Sequence, residues 1–389
     1  MIGTLNWSAR AGNLVLPVSD DTGSISIDDQ NVPAITATIV VPRDDSFLAL
    51  IDPRQTVPPR VQLIGSLSHW HSTPISRLSD YAARHGGTLA SLSAAWTGLQ
   101  VRDVSALFGT PLYQLAPDAP ESMSLDLHVR DVSYDDWEMV VSLASDEALL
   151  MDWAPTSGQD LIAISDEMGG GDPQKVATWV NPFLSVVLGY TLTPGPYDGS
   201  ALSDTYTNIL DWSRWSSAWD MFRPAIEDTD LKLRVRPSGR GFTLERPENP
   251  INSPADHSWL FSDADVISVR HARSRTGDWY DSTLLTTSEM AGGTTVGYPS
   301  PGRHSRTYVE IVPDTFKPTL SMAQNIATRS ANRGQFIDIV APIQLGVFMR
   351  DEFTYVRVIG EGTPEQWIVK SVTYDFAAGT MNIRGEQRY

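Results

Sequence analysis

The sequence predicts an α+β protein that is mainly β, in which two antiparallel β units flank a more helical middle unit. Apolar and polar residues alternate with a period of two in the first and last thirds of the chain, as they do in half-buried strands. The middle third changes to the period of 3.6 that is typical of amphipathic helices. At 389 residues the chain is longer than one ordinary domain, and a domain size of roughly 100–200 residues predicts two or three domains.

The first unit is predicted to comprise residues 1–144. Strand-like runs separated by turn residues occupy 23–28, 34–41, 47–51 and 60–65. The alternation then weakens, which predicts an insertion at about 66–122. A hairpin closes the unit, because two further strand-like runs flank a turn: 124–133, the turn Tyr134-Asp135-Asp136-Trp137, and 138–144.

The middle unit is predicted to comprise residues 145–262. Ser145 is the expected N-cap of its first helix, with Asp146 and Glu147 in the first turn, where the helix dipole favours negative charge. The remaining elements are helices at 160–168, 173–188 and 213–228 and a hairpin at 231–235 and 241–244.

The helix at 213–228 carries the clearest apolar stripe of this unit. Its members recur at steps of three and four and are expected to lie in the core: Trp212, Trp215, Trp219, Phe222 and Ile226. Pro182 and Pro224 lie within two of the predicted helices and should kink or shorten them.

The last unit is predicted to comprise residues 263–389. It contains strand-like runs at 266–273, 282–287, 307–312, 335–340, 353–358, 366–374 and 381–383. A helix at 319–333, bounded by Pro318 and Gly334, presents a face of small residues: Leu320, Ala323, Ile326, Ala327, Ser330 and Ala331. The strands are those of a small barrel or sandwich, and Gly379 supplies the turn of the final hairpin.

Composition excludes several classes of protein. The absence of cysteine excludes disulfides, thiolate metal sites and cysteine nucleophiles. No apolar run approaches the ~20 residues of a membrane-spanning helix, so membrane insertion is not expected, and residues 1–17 lack the pattern of a secretory signal. A formal net charge of −18 opposes binding to a phosphate backbone.

Few residues suggest catalysis or metal binding. His69 and His71 could face one way on a strand, but a metal would need a third ligand such as Asp80 or His85. The run of glycines at 169–171 lacks the Lys-Ser/Thr pair of a phosphate-binding loop.

Adjacent carboxylates could in principle supply the acid and base of a glycosidase: Asp135-Asp136, Asp166-Glu167 and Asp351-Glu352. Such pairs are expected by chance among 47 acidic residues. We therefore predict no catalytic residue, no cofactor, no metal ligand and no enzymatic activity.

Three segments resemble minor tail proteins of long-tailed phages of actinobacteria, and together the resemblance covers most of the chain. They are the strand pair and following Ser145-Asp146-Glu147-Ala148-Leu149-Leu150 within 125–151, the Trp-x-x-x-Trp-Asp-x-x-x-Pro motif that begins at Trp215, and the closing helix with Arg333-Gly334 and 381–384. Similar proteins are baseplate hub or tail-associated proteins, related in architecture to the hub of contractile phage tails.

The resemblance implies two β-barrel, tube-type domains flanking the helical domain. It also implies a homotrimeric ring with pseudo-sixfold symmetry at the tail tip of the virion, assembled in the host cytoplasm. The expected partners are the distal tail protein or tail tube, other tail-tip proteins and receptor-binding proteins, with DNA only in transit through an acidic channel. The chain ends at Tyr389 without a peptidoglycan-cleaving region, so a lytic role is not expected.

A carbohydrate-binding or glycoside-active protein is the alternative, because the 12 tryptophans could stack on sugars. Sugar-binding tryptophans should be exposed in a groove, whereas hub tryptophans should be buried in cores or interfaces.

Overall fold

The computed structural model describes these residues: 2–74, 113–117, 121–154, 174–193, 205–206, 217–227, 232–245, 258–262, 265–273, 280, 282–287, 295–299, 307–312, 320, 323–324, 327, 335–356 and 364–387. The strands are β1 (Ile2–Ala11), β2 (Leu14–Pro17), β3 (Gly23–Asp28), β4 (Ile35–Pro42), β5 (Arg60–Pro74), β6 (Tyr113–Pro117), β7 (Glu121–Tyr134), β8 (Glu138–Ala144), β9 (Gln174–Lys175), β10 (Thr205–Tyr206), β11 (Lys232–Val235), β12 (Phe242–Glu245), β13 (Ser258–Ser262), β14 (Ser268–Arg273), β15 (Ser282–Thr287), β16 (Thr295–Pro299), β17 (Thr307–Val312), β18 (Gln335–Pro342), β19 (Glu352–Val356), β20 (Glu365–Asp375) and β21 (Thr380–Gln387). The helices are α1 (Asp45–Leu50), α2 (Glu147–Asp152), α3 (Val176–Leu188) and α4 (Ala218–Glu227).

One large sheet dominates the fold and confirms the mainly β prediction. Its strand order is β14-β18-β21-β20-β3-β4-β8-β7-β5-β1-β2, with β19 paired to β20, β13 paired to β19, and β6 paired to β5. Neighbouring strands run antiparallel, except that β13 and β19 are parallel. Smaller sheets are formed by β9 with β10, β11 with β12, and β15 with β16 and β17.

The two ends of the sequence meet in this sheet, where β3 pairs with β20 through the register Ile27↔Val372. A bulge between Val369 and Ser371 divides β20, so its first half pairs with β19 and its second half with β3. Because a bulge bends the strand that carries it, β20 can leave one neighbour and meet another. Among the described strands the path stays open and no barrel closes, which differs from the expected pair of closed barrels.

The hydrophobic core is contiguous and extends through both ends of the chain. In β4 the burial alternates along the strand, with Ile35, Ala37 and Ile39 buried and Thr36 and Thr38 exposed. This alternation follows from the two-residue period of strand side chains.

The helical region confirms the predicted stripe where it is described. Phe222 of α4 is fully buried and contacts Phe183 of α3 and Trp219, with ring centroids 5.6 and 5.4 Å apart. Ile226 is also buried, while Trp212 and Trp215 lie outside the described residues. Pro182 lies inside α3 without ending it.

The run 47–51 was predicted as a strand, and this prediction is wrong because residues 45–50 form α1. The carboxylate of Asp44 accepts the N–H of Phe47 at 2.8 Å, and Asp45 occupies the first turn. This N-cap decides the conformation of a short apolar run that periodicity alone leaves ambiguous.

Two other sequence predictions need correction. Ser145 does not cap α2, whose N-cap is Asp146. The hydroxyl of Ser145 instead accepts the backbone N–H of Ile35 and donates to the backbone carbonyl of Ile35. The insertion was predicted to begin at about residue 66, but β5 continues to Pro74. Its predicted end at about 122 lies close to the start of β7 at Glu121.

The closing helix is described at four positions. Leu320, Ala323, Gln324 and Ala327 are helical, and Ala323 and Ala327 are buried as predicted. Leu320 was placed on the same packed face but is 58% exposed. Ile326, Ser330 and Ala331 lie outside the described residues.

Across the part of the chain that is described, no helix is long and apolar enough to cross a bilayer.

Candidate assembly interface

A buried polar cluster surrounds Asp146, a side chain with no solvent exposure. Its Oδ1 binds the guanidinium of Arg60 and, at 3.0 Å, Nε2 of His128. Its Oδ2 accepts the hydroxyl of Tyr190 and, at 3.0 Å, the N–H of Gly241. Burial opposes ionisation of Asp146, but the hydrogen bonds from His128 and Tyr190 and the charge of Arg60 outweigh it and hold the pKa below its usual value.

The Asp146 cluster joins elements that are distant in sequence. Arg60 begins β5, His128 lies in β7, Tyr190 follows α3, and Gly241 lies in the turn between β11 and β12. Both carboxylate oxygens are occupied by protein donors and shielded from solvent. The cluster therefore attaches the helical region to the sheet and offers no position for a substrate.

The β11–β12 hairpin is seated closely on β7. Ser238 accepts the N–H of Asp126 through its backbone carbonyl at 2.6 Å. Gly239 has a φ of +80°, and a Cβ there would lie 2.5 Å from Cδ2 of Leu127. Only glycine satisfies both the left-handed backbone and this close approach.

A second buried cluster surrounds Asp29, in the turn between β3 and β4. The ammonium of Lys232 binds Oδ2 at 2.7 Å, Arg234 lies 3.6 Å from Oδ1, and the N–H of Asp29 donates to the carbonyl of Lys370 at 3.0 Å. Burial raises the pKa of Asp29, but the charges of Arg234, Lys232 and Lys370 outweigh burial and lower it well below its usual value. This cluster joins β11 to both halves of the large sheet.

The histidines and glycines considered for chemistry do not form a described site. His69 and His71 lie in β5, whose backbone pairs with β1 and β6. Outside the described residues lie Asp80, His85, the glycines at 169–171 and the pair Asp166-Glu167. No group of three or more His, Asp or Glu side chains suited to a metal occurs among the residues that are described.

In each of the two described acidic pairs, one carboxylate is held by hydrogen bonds from protein N–H groups. Asp135 accepts the N–H groups of Trp137 and Glu138 at 2.7 and 2.9 Å. Asp351 is buried and accepts the indole N–H of Trp259 and the backbone N–H of Phe348, each at 2.8 Å. These carboxylates stabilise loops.

The sequence analysis did not identify the residues around Asp146 as a cluster, because only the fold brings them together.

The large sheet has one face that we call the polar face. A row of residues paired in register across six strands points to this face: Thr380, Asp375, Ser24, Thr38, Ser142 and Asp131. The next row contains Asn382, Thr373, Ser26 and Thr36. All of these side chains are partly or fully exposed, whereas the opposite face carries core residues such as Ile25, Val141 and Tyr374. The polar face therefore crosses both halves of the chain without interruption.

The path of the large sheet ends at β2 and β14. The exposed side chains of β14 include Arg270, His271 and Arg273, while exposed Asp20 and Asp21 follow β2. Unpaired edges can accept a further strand. The two ends differ in length and charge, so they are candidates for contact with each other in neighbouring copies.

Tryptophan exposure bears on the carbohydrate alternative. Trp7 and Trp367 are buried at 3% and 4% exposure. Trp137 is 85% exposed and lies in the turn between β7 and β8. Among the described tryptophan side chains, none is exposed within a groove of the kind that would stack on a sugar.

The fold is similar to those of two solved tail proteins, one of them from a prophage. No protein-family model matches the chain, and no curated protein is similar to it in sequence. The 43 kDa tail protein of prophage MuSo2 from Shewanella oneidensis has a TM-score of 0.53 and 10% identity, with 98% of each chain covered. The tail protein from Neisseria meningitidis MC58 has a TM-score of 0.55 and 9% identity, with 98% of this chain and 96% of that chain covered. At such low identity the likeness establishes that the chain shares the fold of these proteins over nearly its whole length.

Proposed function

We propose that this chain is a structural, non-enzymatic subunit of a phage tail, of the baseplate hub or minor tail protein type. The observation that carries the proposal is the full-length likeness in fold to two tail proteins. The polar face, which crosses six strands, and the two different ends of the sheet path support it, because a ring subunit must line a passage and join its neighbours.

The proposed assembly is a homotrimeric ring at the tail tip of the virion. Each chain contributes two β units, residues 1–144 and 263–389, separated by the helical unit 145–262. Three chains would supply six wall segments, which matches the sixfold symmetry of a tail tube. Because the β2 and β14 ends are different surfaces, their contact would be heterologous, and heterologous contacts close into rings when the rotation permits.

In this ring the polar face would line the channel through which DNA passes during delivery. Small hydroxyl side chains interspersed with carboxylates offer no cluster of Lys and Arg to hold phosphates. The net charge of −18 acts in the same direction. The ring would bind the distal tail protein or tail tube on one side and receptor-binding proteins on the other.

The test is the oligomeric state of the purified chain, measured by sedimentation equilibrium and negative-stain microscopy. We expect a trimeric ring that the double variant R270E/R273E dissociates, because the charge reversal places carboxylates opposite Asp20 and Asp21. The matched control R54E changes an exposed arginine that pairs locally with Asp52, and it should leave the ring intact. A chain that stays monomeric, even with its tail partners present, contradicts the proposal.

A further inference from the structure

The carboxyl group of Glu147, in the first turn of α2, is buried next to another carboxylate. Glu147 is 3% exposed, and its Oε2 has no hydrogen-bond partner among the described residues. Both oxygens of the neighbouring Asp146 are taken by protein donors. An ionised Glu147 would place a second negative charge beside the first in the core, which is costly unless a cation pairs with it.

Among the described residues, the charged groups on the elements around α2 leave Glu147 without an ion pair. Arg60 of β5, His128 of β7 and Tyr190 after α3 bind Asp146. The helix α3 itself carries no charged residue. The other charged side chains have partners of their own or are exposed: Asp29 with Lys232, Arg130 with Asp152, Arg240 with Asp126, Asp220 with Ser217, and Arg223. The surroundings of Glu147 therefore favour its neutral, protonated form.

Burial is the main reason that the pKa of Glu147 is raised to about 7, and the charge of Asp146 adds to it. Hydrogen bonds from backbone N–H groups, that of Ala34 among them, oppose this shift only in part. Because the raised pKa belongs to the buried position, that position is fully favoured below the ordinary pKa of about 4.5. It loses stability, relative to any position in water, as the pH rises to about 7.

A groove of about 290 Å³ offers the buried carboxylate a route to water, and we call it the α2 groove. Ala148 of α2 lines one side, and Pro33 and Thr36, at the start of β4, line another. Glu147 directly precedes Ala148 in the chain, and Ala34, whose N–H donates to its carboxylate, directly follows Pro33. A shift of the first turn of α2 toward this groove would therefore hydrate the carboxylate without breaking a strand.

The helix α2 is suited to such a shift because it is short. It has six residues, and a helix of this length has little stability of its own and depends on packing. Hydrogen bonds fix the chain on both sides of it. The N–H of Ser145 donates to the carbonyl of Ile35 at 2.9 Å, and the carbonyl of Trp153 accepts the N–H of Ala218 at 2.8 Å. The helix can thus move between two fixed points.

We propose that α2 is a proton-controlled latch. Protonated Glu147 holds the first turn of α2 closed on the sheet, and ionisation of Glu147 displaces that turn toward the α2 groove. This inference goes beyond the proposed function and concerns a single chain, so it holds or fails independently of the ring. In the proposed ring, Thr36, Thr38 and Ser142 belong to both the α2 groove and the polar face, so the displacement would change the surface of the channel.

The absence of cysteine from the native chain permits a test by thiol labelling. Ala148 is 3% exposed, so the thiol of A148C should react with an aromatic disulfide reagent only when α2 opens. The rates of A148C and of the double variant A148C/E147Q are compared at the same pH, so that the intrinsic reactivity of the thiol cancels. We expect their ratio to rise about tenfold from pH 6 to pH 8, because only the glutamate gains charge over this range.

Two controls use the same reagent. In A148C/E138Q the exposed Glu138 is neutralised, and the labelling rate should equal that of A148C. Ala341 of β18 has no solvent exposure, so A341C reports global unfolding and should react at least tenfold more slowly than A148C at pH 8. A ratio of A148C to A148C/E147Q that does not change with pH, or equal rates for A148C and A341C, overturns the inference.

Hydrogen exchange provides the same test without a cysteine substitution. At pH 8, after correction for intrinsic exchange rates, the amides of α2 in the native chain should be at least tenfold less protected than the same amides in E147Q. They should also be at least tenfold less protected than the amides of β18. If α2 and β18 lose protection together, α2 opens only with the whole fold and the latch is wrong. A monomer and a ring can both be measured in this way, so the outcome is separate from that of the ring test.

Discussion

Trp7 and Phe376 stack with ring centroids 4.9 Å apart and an interplanar angle of 26°, although they lie near opposite ends of the chain. Trp7 lies in β1, and Phe376 follows β20 directly. Both are buried. The core of the N-terminal strands is therefore completed by a side chain from the C-terminal ones.

Replacing Phe376 with alanine should destabilise the whole chain and leave a cavity beside Trp7. We expect a loss of about 3–5 kcal/mol in the free energy of unfolding, measured by urea denaturation. The neighbouring A377S substitution, at an exposed position of the same turn, is the control and should be neutral. If F376A unfolds only the C-terminal strands and the N-terminal ones keep their stability, the shared core is wrong.

Gly65 should not tolerate alanine, because it lies directly opposite Trp7 in the β1–β5 register. A Cβ at residue 65 would lie 2.6 Å from the Trp7 ring, and such overpacking costs about 1–3 kcal/mol. The thermal unfolding midpoint of G65A should fall accordingly, while that of the adjacent S66A should hardly change. Combining G65A with W7L should recover part of the loss in a double-mutant cycle, and strict additivity would argue against a steric clash.

Asp146→Asn should be far more harmful than Asp152→Asn, although each aspartate pairs with an arginine. The change removes the buried carboxylate that Arg60, His128 and Tyr190 share, and because Arg60 keeps a second ion pair with Asp126 at 3.2 Å, the loss should cost about 3 kcal/mol. The pair of Asp152 with Arg130 is largely exposed, so its loss should cost at most about 1 kcal/mol. Urea denaturation at pH 7 measures both values.

The Asp146 contribution also has a defined pH dependence. Because the pKa of Asp146 is lowered in the folded state, its stabilisation is fully present above the unfolded pKa of about 3.9. It is lost as the pH falls below that value through the folded pKa. The difference in stability between the native chain and D146N should therefore shrink at acidic pH, and a difference that stays constant would refute the assignment.

Glu147 should make the protein less stable as the pH rises from about 4.5 to 7. Burial raises the pKa of Glu147 to about 7, so over this range the folded state binds a proton that the unfolded state has released. At about 1.36 kcal/mol per pKa unit, the total effect is about 3 kcal/mol. The variant E147Q should abolish this slope in urea denaturation at pH 5 and pH 8. Glu138 is exposed, and E138Q should retain the slope; a native chain with no slope would contradict the burial of an ionisable Glu147.

Local sequence patterns predicted much of the secondary structure. The alternation at 366–374 and the glycine at 379 predicted β20, β21 and their hairpin, and Gly379 has the expected positive φ of +61°. The aromatic stripe predicted the packed face of α4. These patterns are informative because the period of apolar residues reflects which side of an element is buried. At 45–50 the run is too short for its period to distinguish a helix from a strand, and the cap at Asp44 decides the outcome.

The sequence by itself determined many of the strands, among them β3, β4 and β20, and which face of each is apolar. It also determined that the middle of the chain contains helices and that cysteine chemistry is excluded. The tertiary structure decided that β3 pairs with β20, that Phe376 completes the core around Trp7, and that Arg60, His128 and Tyr190 converge on Asp146. The physical reason is that the burial of a side chain is reflected in the polarity of that residue. Strand partners and buried charge pairs depend instead on contacts between residues that are far apart in the sequence. Here β20 pairs with β19 before its bulge and with β3 after it, and these pairings join the two ends of the chain into one sheet.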